Sequence, residues 1–234
     1  MNKFQSAQSV GEIVSMMPGA SEVFKNFNID FCCGGHRSLS EVVRAQNLDE
    51  AEVLGKLDEL YEKTEQLSGR TDFRKMALTD LIDHIVNTHH VYLNRALPDL
   101  SDLTNTILRV HGPTHSVLFR VHKLFHSLKM ELEQHLIKEE EILFPLIKEY
   151  DASLSEPLLE KISVIVRETE EEHEAAGDIL KELRSVTEDY LVPADGCATY
   201  SKTFQKLQEL ESDLFQHIHL ENNILFRQLG LEVR

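Results

Sequence analysis

The sequence predicts an all-α protein in which a small N-terminal helical domain precedes an up-down-up-down four-helix bundle. The 234 residues include only 6 Pro and 10 Gly, with 41% hydrophobic and 27% charged residues, which is an ordinary composition leaning towards helix. In the last two thirds of the chain, apolar residues recur at steps of three and four over four long segments. Short connections join these segments, as in an antiparallel bundle.

Residues 1–66 are predicted to form the N-terminal domain, and residues 73–234 the bundle. The polar run Leu67-Ser68-Gly69-Arg70-Thr71-Asp72 is the best boundary in the sequence. Helical spacing of apolar residues predicts short N-terminal helices over about 10–17, 23–27, from Ser38 onward and 49–66.

The four bundle helices are predicted over about 77–97, 114–150, 156–189 and 199–229. The first is expected to stop at Pro98, because proline removes a helical hydrogen bond and clashes with the preceding turn. Its buried stripe is expected to start at Val86, and that of the second helix is expected to continue through Ile142 and Leu146.

A short motif occurs twice on the predicted buried stripes. The chain reads H-L-I-K-E-E-E-I-L-F-P from His135 and H-I-H-L-E-N-N-I-L-F-R from His217. Because four residues make just over one helical turn, His135 shares a face with Glu139, and His217 shares one with Glu221.

Two further histidines extend the repeat. His90 precedes His135 by 45 residues, and His173 precedes His217 by 44, so the bundle resembles two copies of one helical hairpin. Four histidines and two glutamates are therefore expected in one buried layer. His89 points about 100° away from His90 on a helix, and His90 is preferred as the ligand.

The remaining polar groups are expected to lie outside this layer. Glu131 and Glu172 are near the ligands in sequence, and a solvated helix face is preferred over ligand orientation or proton transfer for both. Surface or supporting positions are predicted for His84, His111, His115, His122, His126 and His219.

Two buried carboxylates would cost several kcal/mol each without a cation, and no Lys or Arg lies on the four stripes near that level. A pair of metal ions is the simplest source of the positive charge that these two carboxylates need. Imidazole and carboxylate without thiolate suit Fe, Mn, Zn or Cu better than Ca or Mg. The preferred cofactor is two iron ions bridged by carboxylates and an oxygen, with positions left open for a small ligand.

The adjacent Cys32 and Cys33 suggest thiol chemistry, since the flanking glycines free the backbone and a helix follows. A disulfide between neighbours would be strained and labile. A tight turn with two small buried side chains is an equal alternative. Cys197 receives no function.

Charge and cysteine content restrict the partners. The net charge of −16 disfavours nucleic acid and anionic membrane surfaces, and there is no run of eighteen apolar residues. The N-terminus lacks the apolar region of a signal peptide. Three cysteines do not form a secreted disulfide framework, so a reducing cytoplasm is the predicted location.

The combined motifs resemble the repair-of-iron-centres family, the ScdA/YtfE/DnrN type of iron–sulfur cluster repair protein. The resemblance covers essentially the whole chain and rests on the following segments: I-D-F-C-C-G-G (29–35), V-H-G-P (110–113), K-E-E-E-I-L-F-P (138–145), E-H-E-A-A-G (172–177) and H-L-E-N-N-I-L-F (219–226). One departure is Arg227, where the first copy of the repeat has Pro145.

This resemblance implies a hemerythrin-like di-iron bundle that restores iron–sulfur clusters damaged by nitrosative or oxidative stress, by donating iron. Cys32 and Cys33 match the family's cysteine pair, and the family's metal ligands fall on the same six residues. Reduction of nitric oxide, or binding and sensing of gases, is the alternative, so catalysis is left open. Expected partners are damaged iron–sulfur proteins, nitric oxide or oxygen, and a second copy in a homodimer.

Overall fold

A computed structural model describes residues 3–65 and 72–231, and in these ranges the regular elements are helical. The all-α prediction is confirmed. The α-helices, in chain order, are α1 (Val10–Met16), α2 (Ala20–Asn26), α3 (Leu39–Gln46), α4 (Glu50–Glu65), α5 (Leu78–Ile85), α6 (Val91–His111), α7 (Val117–Lys138), α8 (Phe144–Ser153), α9 (Glu156–Val186), α10 (Ala198–Leu220) and α11 (Phe226–Gln228).

The chain divides into two compact units. The first contains Met1–Leu81 together with Gln216–Arg234, and the second is Ile82–Phe215. Of the predicted linker only Asp72 lies within the described residues, so the domain boundaries at 66 and 73 stay a prediction. Across the described part of the chain, no helix is both long and apolar enough to cross a membrane.

In the first unit, side-chain caps fix where the short helices begin. Ser9 accepts the Glu12 amide N–H at 3.2 Å at the start of α1. Ser38 and Glu41 bond each other's backbone N–H groups in a capping box at the start of α3. The buried apolar side chains of this unit include Phe4, Ile13, Phe24, Phe31, Leu39 and Leu57.

In the second unit, α6, α7, α9 and the first part of α10 share one hydrophobic core. Helix α7 packs against both α6 and α9. The core includes Leu93, Leu97, Leu100, Ile107, Val121, Phe125, Leu128, Leu132, Leu180, Leu183, Phe204, Leu207, Leu210 and Leu214. The predicted four-helix bundle is confirmed.

The prediction that the first bundle helix stops at Pro98 is wrong. Helix α6 contains Pro98 and continues to His111. Pro98 itself is exposed, whereas Leu97, Leu100 and Ile107 are buried in the core. The apolar stripe therefore continues past the proline, and its packing outweighs the single lost backbone hydrogen bond.

Three helical segments in the described residues wind as π-helix, with hydrogen bonds spanning five residues. They are π1 (Val86–His90), π2 (Glu139–Leu143) and π3 (Glu221–Leu225). Each contains at least one of the predicted metal ligands. Such turns are rare and occur frequently at functional sites.

The π turns change which apolar residues are buried. Ile142 was predicted on the buried stripe, but it is half exposed, and Leu143 and Phe144 are buried instead. In the first bundle helix Ile85 is buried in place of Val86, which is only half-buried. A π turn adds one residue, so the α-helical spacing used in the prediction is out of register on one side of it.

Candidate metal centre

Four of the six predicted ligands lie in the second unit, and all four are buried. His90 ends π1, His135 is in the last turn of α7, Glu139 begins π2 and His173 lies in the middle of α9. Each follows core residues on the apolar stripe of its helix, so packing of the bundle places these polar side chains inside the protein.

These four side chains meet around Glu139. His90 Nε2 lies 3.4 Å from Glu139 Oε2, and His135 Nε2 lies 3.2 Å from Oε1 of the same carboxylate. The Nε2 atoms of His135 and His173 are 3.2 Å apart. The structure places His90 beside Glu139, while His89 instead bonds Asp213 at 2.9 Å.

Two outer carboxylates set the orientation of the imidazoles. His90 donates from Nδ1 to Glu140 at 2.8 Å, and His135 donates from Nδ1 to Glu172 at 2.7 Å. Because a carboxylate only accepts, the ring proton is assigned to Nδ1 and the Nε2 lone pair faces Glu139.

Glu172 also accepts a bond from Lys138 at 2.6 Å. Burial alone would raise the pKa of Glu172, but the bonds from His135 and Lys138 outweigh burial and lower this pKa to about 2. The carboxylate is therefore ionised at neutral pH and can hold the His135 ring.

Sequence reasoning missed these orienting groups. It did not single out Glu140, and it preferred a solvated face for Glu172. Glu140 directly follows the ligand Glu139, and Glu172 directly precedes the ligand His173. On a helix, adjacent side chains point about 100° apart, so both glutamates point towards a neighbouring helix. The crossing of the helices decides whether such a residue meets an imidazole, and spacing alone does not contain that information. Glu131, by contrast, is exposed and accepts a hydrogen bond from Ser127 at 3.4 Å.

The other two predicted ligands, His217 and Glu221, lie in the first unit and are both buried. His217 Nε2 is 3.1 Å from Glu221 Oε1. The pair repeats the geometry of His135 and Glu139 in the other copy of the motif, where the matching distance is 3.2 Å. It also continues the stripe of α10, because His217 follows the core residue Leu214 by three positions.

The donor set suits a transition metal. Around Glu139, the His135 lone pair faces a carboxylate oxygen and a second imidazole nitrogen, in a setting sealed from solvent. Acceptor atoms this close repel one another unless a cation or proton lies between them. Imidazole nitrogen with carboxylate oxygen is a donor combination that iron accepts.

The turn over residues 30–35, here named the cysteine turn, contains a second group of side chains whose chemistry suits a metal ion. Asp30 Oδ1 accepts the backbone N–H groups of Cys32, Cys33 and Gly34 at 3.0–3.2 Å. An Asp30 carboxylate oxygen and the two sulfur atoms lie within 4.8 Å of one another. The sulfur atoms are 3.8 Å apart, so both cysteines are thiols. The hydrogen bond to Cys33, burial and the Asp30 charge raise the pKa of Cys32.

Cys197 differs from this pair because it is exposed and lies just before α10. His111 Nε2 is 3.1 Å from its sulfur atom. This bond, together with the backbone N–H groups of Tyr200 and Thr199, lowers the pKa of Cys197 to about 7. The thiolate is therefore present above about pH 7 and is lost below it.

We expect His111→Ala to raise the pKa of Cys197 and to slow its alkylation by iodoacetamide at pH 7 by about fivefold, because the thiolate fraction falls more than its nucleophilicity rises. Labelling is measured by mass spectrometry of the peptide. At pH 9.5, where both thiols are ionised, His111→Ala should react at least as fast as the parent protein, because its thiolate is the more nucleophilic. Identical pH profiles for the two proteins would contradict the role given to His111.

Known proteins match the chain along most of its length. Residues 81–229 match the hemerythrin HHE cation binding domain, and residues 6–61 match ScdA_N, a domain of unknown function. Over 219 residues the chain is 33% identical to a probable iron–sulfur cluster repair protein of Haemophilus influenzae, covering 94% of this chain and 95% of the relative. It is 35% and 34% identical to the iron–sulfur cluster repair protein YtfE of Enterobacter sp. and of Shigella boydii, with 94% of each chain covered. The resemblance found in the sequence is thus confirmed, and the chain belongs to the YtfE-type family of iron–sulfur cluster repair proteins and carries a hemerythrin-like cation-binding domain.

Proposed function

We propose that this protein restores damaged iron–sulfur clusters by supplying iron from a di-iron centre in its helical bundle. The observation that supports this most directly is the convergence of His90 and His135 on the buried Glu139 carboxylate. The relatives named as iron–sulfur cluster repair proteins support the same role, since they align with 94% of the chain.

The proposed centre uses six residues from both copies of the repeat. They are His90, His135, Glu139, His173, His217 and Glu221. Glu139 and Glu221 each lie within about 3 Å of a histidine four positions before them, and both are fully buried. A set of four histidines and two glutamates would supply enough nitrogen and oxygen donors to hold two iron ions.

The same residues suit release of iron as well as its retention. When bound, iron at this centre supplies a labile ferrous or ferric ion and open positions for a small ligand such as nitric oxide or oxygen. Nitrogen and oxygen donors hold iron less tightly than a set of thiolates does. Glu140 and Glu172 keep the ring protons of His90 and His135 on Nδ1, so each Nε2 is available to the metal.

The cysteine turn is the proposed acceptor of iron from the bundle. Cys32, Cys33 and Asp30 supply two sulfur atoms and a carboxylate that lie close enough to share one ion. Iron passing to this group would move from a nitrogen and oxygen site to a sulfur site, which is the ligand environment of the client clusters.

The alternative function, reduction or sensing of nitric oxide by the bundle alone, is not favoured. The relatives align over both the bundle and residues 6–61, where ScdA_N matches. A function confined to the bundle leaves that N-terminal part without a role. The homodimer and the cytoplasmic location stay predictions.

Metal analysis and a repair assay test the proposal together. Protein purified without oxygen should contain close to two irons per chain. Mixed with an iron–sulfur enzyme inactivated by nitric oxide, it should restore that enzyme's activity while losing iron. Protein that holds no stoichiometric transition metal, or that restores activity without losing iron, would contradict iron donation.

His217→Ala tests whether the second copy of the motif belongs to the same centre. We expect this change to lower bound iron to less than half, because it removes a buried donor. His122→Ala is the matched control, since His122 bonds Asn105 at 2.8 Å on an exposed face. Equal iron content in the two variants would refute the six-residue centre.

A further inference from the structure

The helix that contains His217 and Glu221 also holds the cysteine turn, through residues on its opposite face. His219 and Asn223 each follow one of these ligands by two positions, which places them on roughly the opposite side of the helix. Both are buried, and both bond backbone carbonyl groups of the cysteine turn, within the first unit. Neither was expected to have this role from the sequence, which placed His219 among the surface or supporting groups.

Asn223 donates from its amide nitrogen to two consecutive carbonyl groups of the cysteine turn. Its Nδ2 lies 2.9 Å from the Cys32 oxygen and 3.3 Å from the Phe31 oxygen. Only 7% of Asn223 is exposed, so water does not replace these bonds. A buried amide that satisfies two carbonyl groups fixes the backbone on which Cys32 is carried.

Two glycines make room for this amide. A Cβ atom at Gly11 would come within 2.3 Å of Asn223 Oδ1, and one at Gly35 within 2.4 Å. The Gly11 N–H donates to the Gly35 carbonyl at 2.8 Å, which joins α1 to the end of the cysteine turn. The Asn223 amide therefore occupies a space that a side chain at position 11 or 35 would fill.

His219 adds a second contact from the same helix face. Its side chain is buried, with 2% of the residue exposed. Its Nδ1 lies 3.4 Å from the Phe31 carbonyl oxygen, which only accepts, and its Nε2 lies 3.4 Å from the Ser15 hydroxyl. The Phe31 ring also packs edge-on against the imidazole.

We infer that Asn223 and His219 are positioning residues for the cysteine turn, which hold Cys32 buried against Asp30 and leave Cys33 as the more exposed of the two thiols. Cys32 is 3% exposed with its sulfur 3.3 Å from Asp30 Oδ1, whereas Cys33 is half-buried. The two thiols are thus unequal, and Cys33 is the more exposed of the pair. This inference extends the proposed role of the cysteine pair in iron transfer and depends on that role.

The test measures how fast Cys32 is alkylated when it is the only thiol. In a Cys33→Ser/Cys197→Ser chain, the Cys32 thiolate displaces iodide from iodoacetamide, so a carbon–sulfur bond forms and iodide leaves. Asn223→Ala in this background should raise the rate at pH 8 about tenfold, because two buried hydrogen bonds that hold the turn are lost. Intact protein mass gives the rate.

Gln228→Ala is the matched control. Gln228 is an amide near the end of the same helical region that also donates to two backbone carbonyl groups, those of Arg74 and Met76, both at 3.3 Å. We expect this change to leave the Cys32 rate as it was. An Asn223→Ala rate equal to that of Gln228→Ala would overturn the inference.

Urea separates positioning from loss of overall stability. If Asn223→Ala loosens only the turn, the faster rate should not depend on urea below the unfolding transition. A rate that climbs with urea from the lowest concentrations would mean that Cys32 is reached by global unfolding, and the positioning role would be refuted.

Gly11→Ala provides an independent variant in which Asn223 itself is kept. Its new Cβ displaces the amide, so the Cys32 rate should rise as in Asn223→Ala, and an unchanged rate would overturn the inference. Iron content of the parent protein is measured separately. Absence of iron there refutes the proposed function, whereas the alkylation rates alone decide the positioning role.

Discussion

Glu139→Gln is expected to remove most of the bound iron, from the proposed two ions per chain to well below one. Glu139 is fully buried and lies within 3.4 Å of both His90 and His135. Its replacement by an amide removes the negative charge that both proposed iron positions share. Iron is measured by metal analysis of protein purified without oxygen, together with the optical spectrum of the centre.

Glu141, which lies in π2 with Glu139, provides the control for this variant. Glu141 has the same chemistry two residues further on, but it is exposed, so Glu141→Gln should retain the parental iron content. Glu140→Gln should be intermediate, with iron affinity reduced by about tenfold, because Glu140 orients the His90 ring and is not itself a proposed ligand. If Glu139→Gln and Glu141→Gln bind equal amounts of iron, Glu139 is not a ligand.

Cys32→Ser/Cys33→Ser is expected to lower repair of a damaged iron–sulfur enzyme by tenfold or more while leaving the iron of the bundle in place. The pair and Asp30 form the sulfur-containing group to which iron is proposed to pass. Serine keeps the size of each side chain but binds iron far more weakly than a thiolate does. Recovery of client activity gives the first readout, and metal analysis gives the second.

Cys197→Ser is the control for this variant, because Cys197 is exposed and bonds His111 rather than the cysteine turn. It should repair at the parental rate. A double variant that repairs as well as Cys197→Ser would exclude the cysteine turn from the transfer. One that has also lost its iron would show that the two cysteines are needed to build the bundle centre itself.

Periodicity was enough to predict that the candidate ligands are buried and which helical segments contain them. A buried histidine followed by a glutamate one turn later can be recognised in a single sequence, because the period of the helix places both on one face. The duplication then linked His90 and His173 to the two H-x-x-x-E pairs. The six side chains are indeed buried, at 5% exposure or less.

The sequence did not predict features that depend on how one helix meets another. Glu140 and Glu172 face imidazoles only because of how neighbouring helices cross. Pro98 is tolerated inside α6 because core packing continues beyond it. Asn223 reaches carbonyl groups almost two hundred positions earlier in the chain, so no local spacing could indicate that contact.

The π turns have a consequence for transplanting this centre into another scaffold. Each lies at a proposed ligand, and π2 shifts the downstream apolar stripe by one residue, so that Leu143 rather than Ile142 is buried after Glu139. A designer who grafts H-x-x-x-E onto a straight bundle of ideal helices would rotate every later core position by about 100°. The graft therefore has to include the extra residue of the π turn together with the ligands, because the ligand motif and the turn depend on each other.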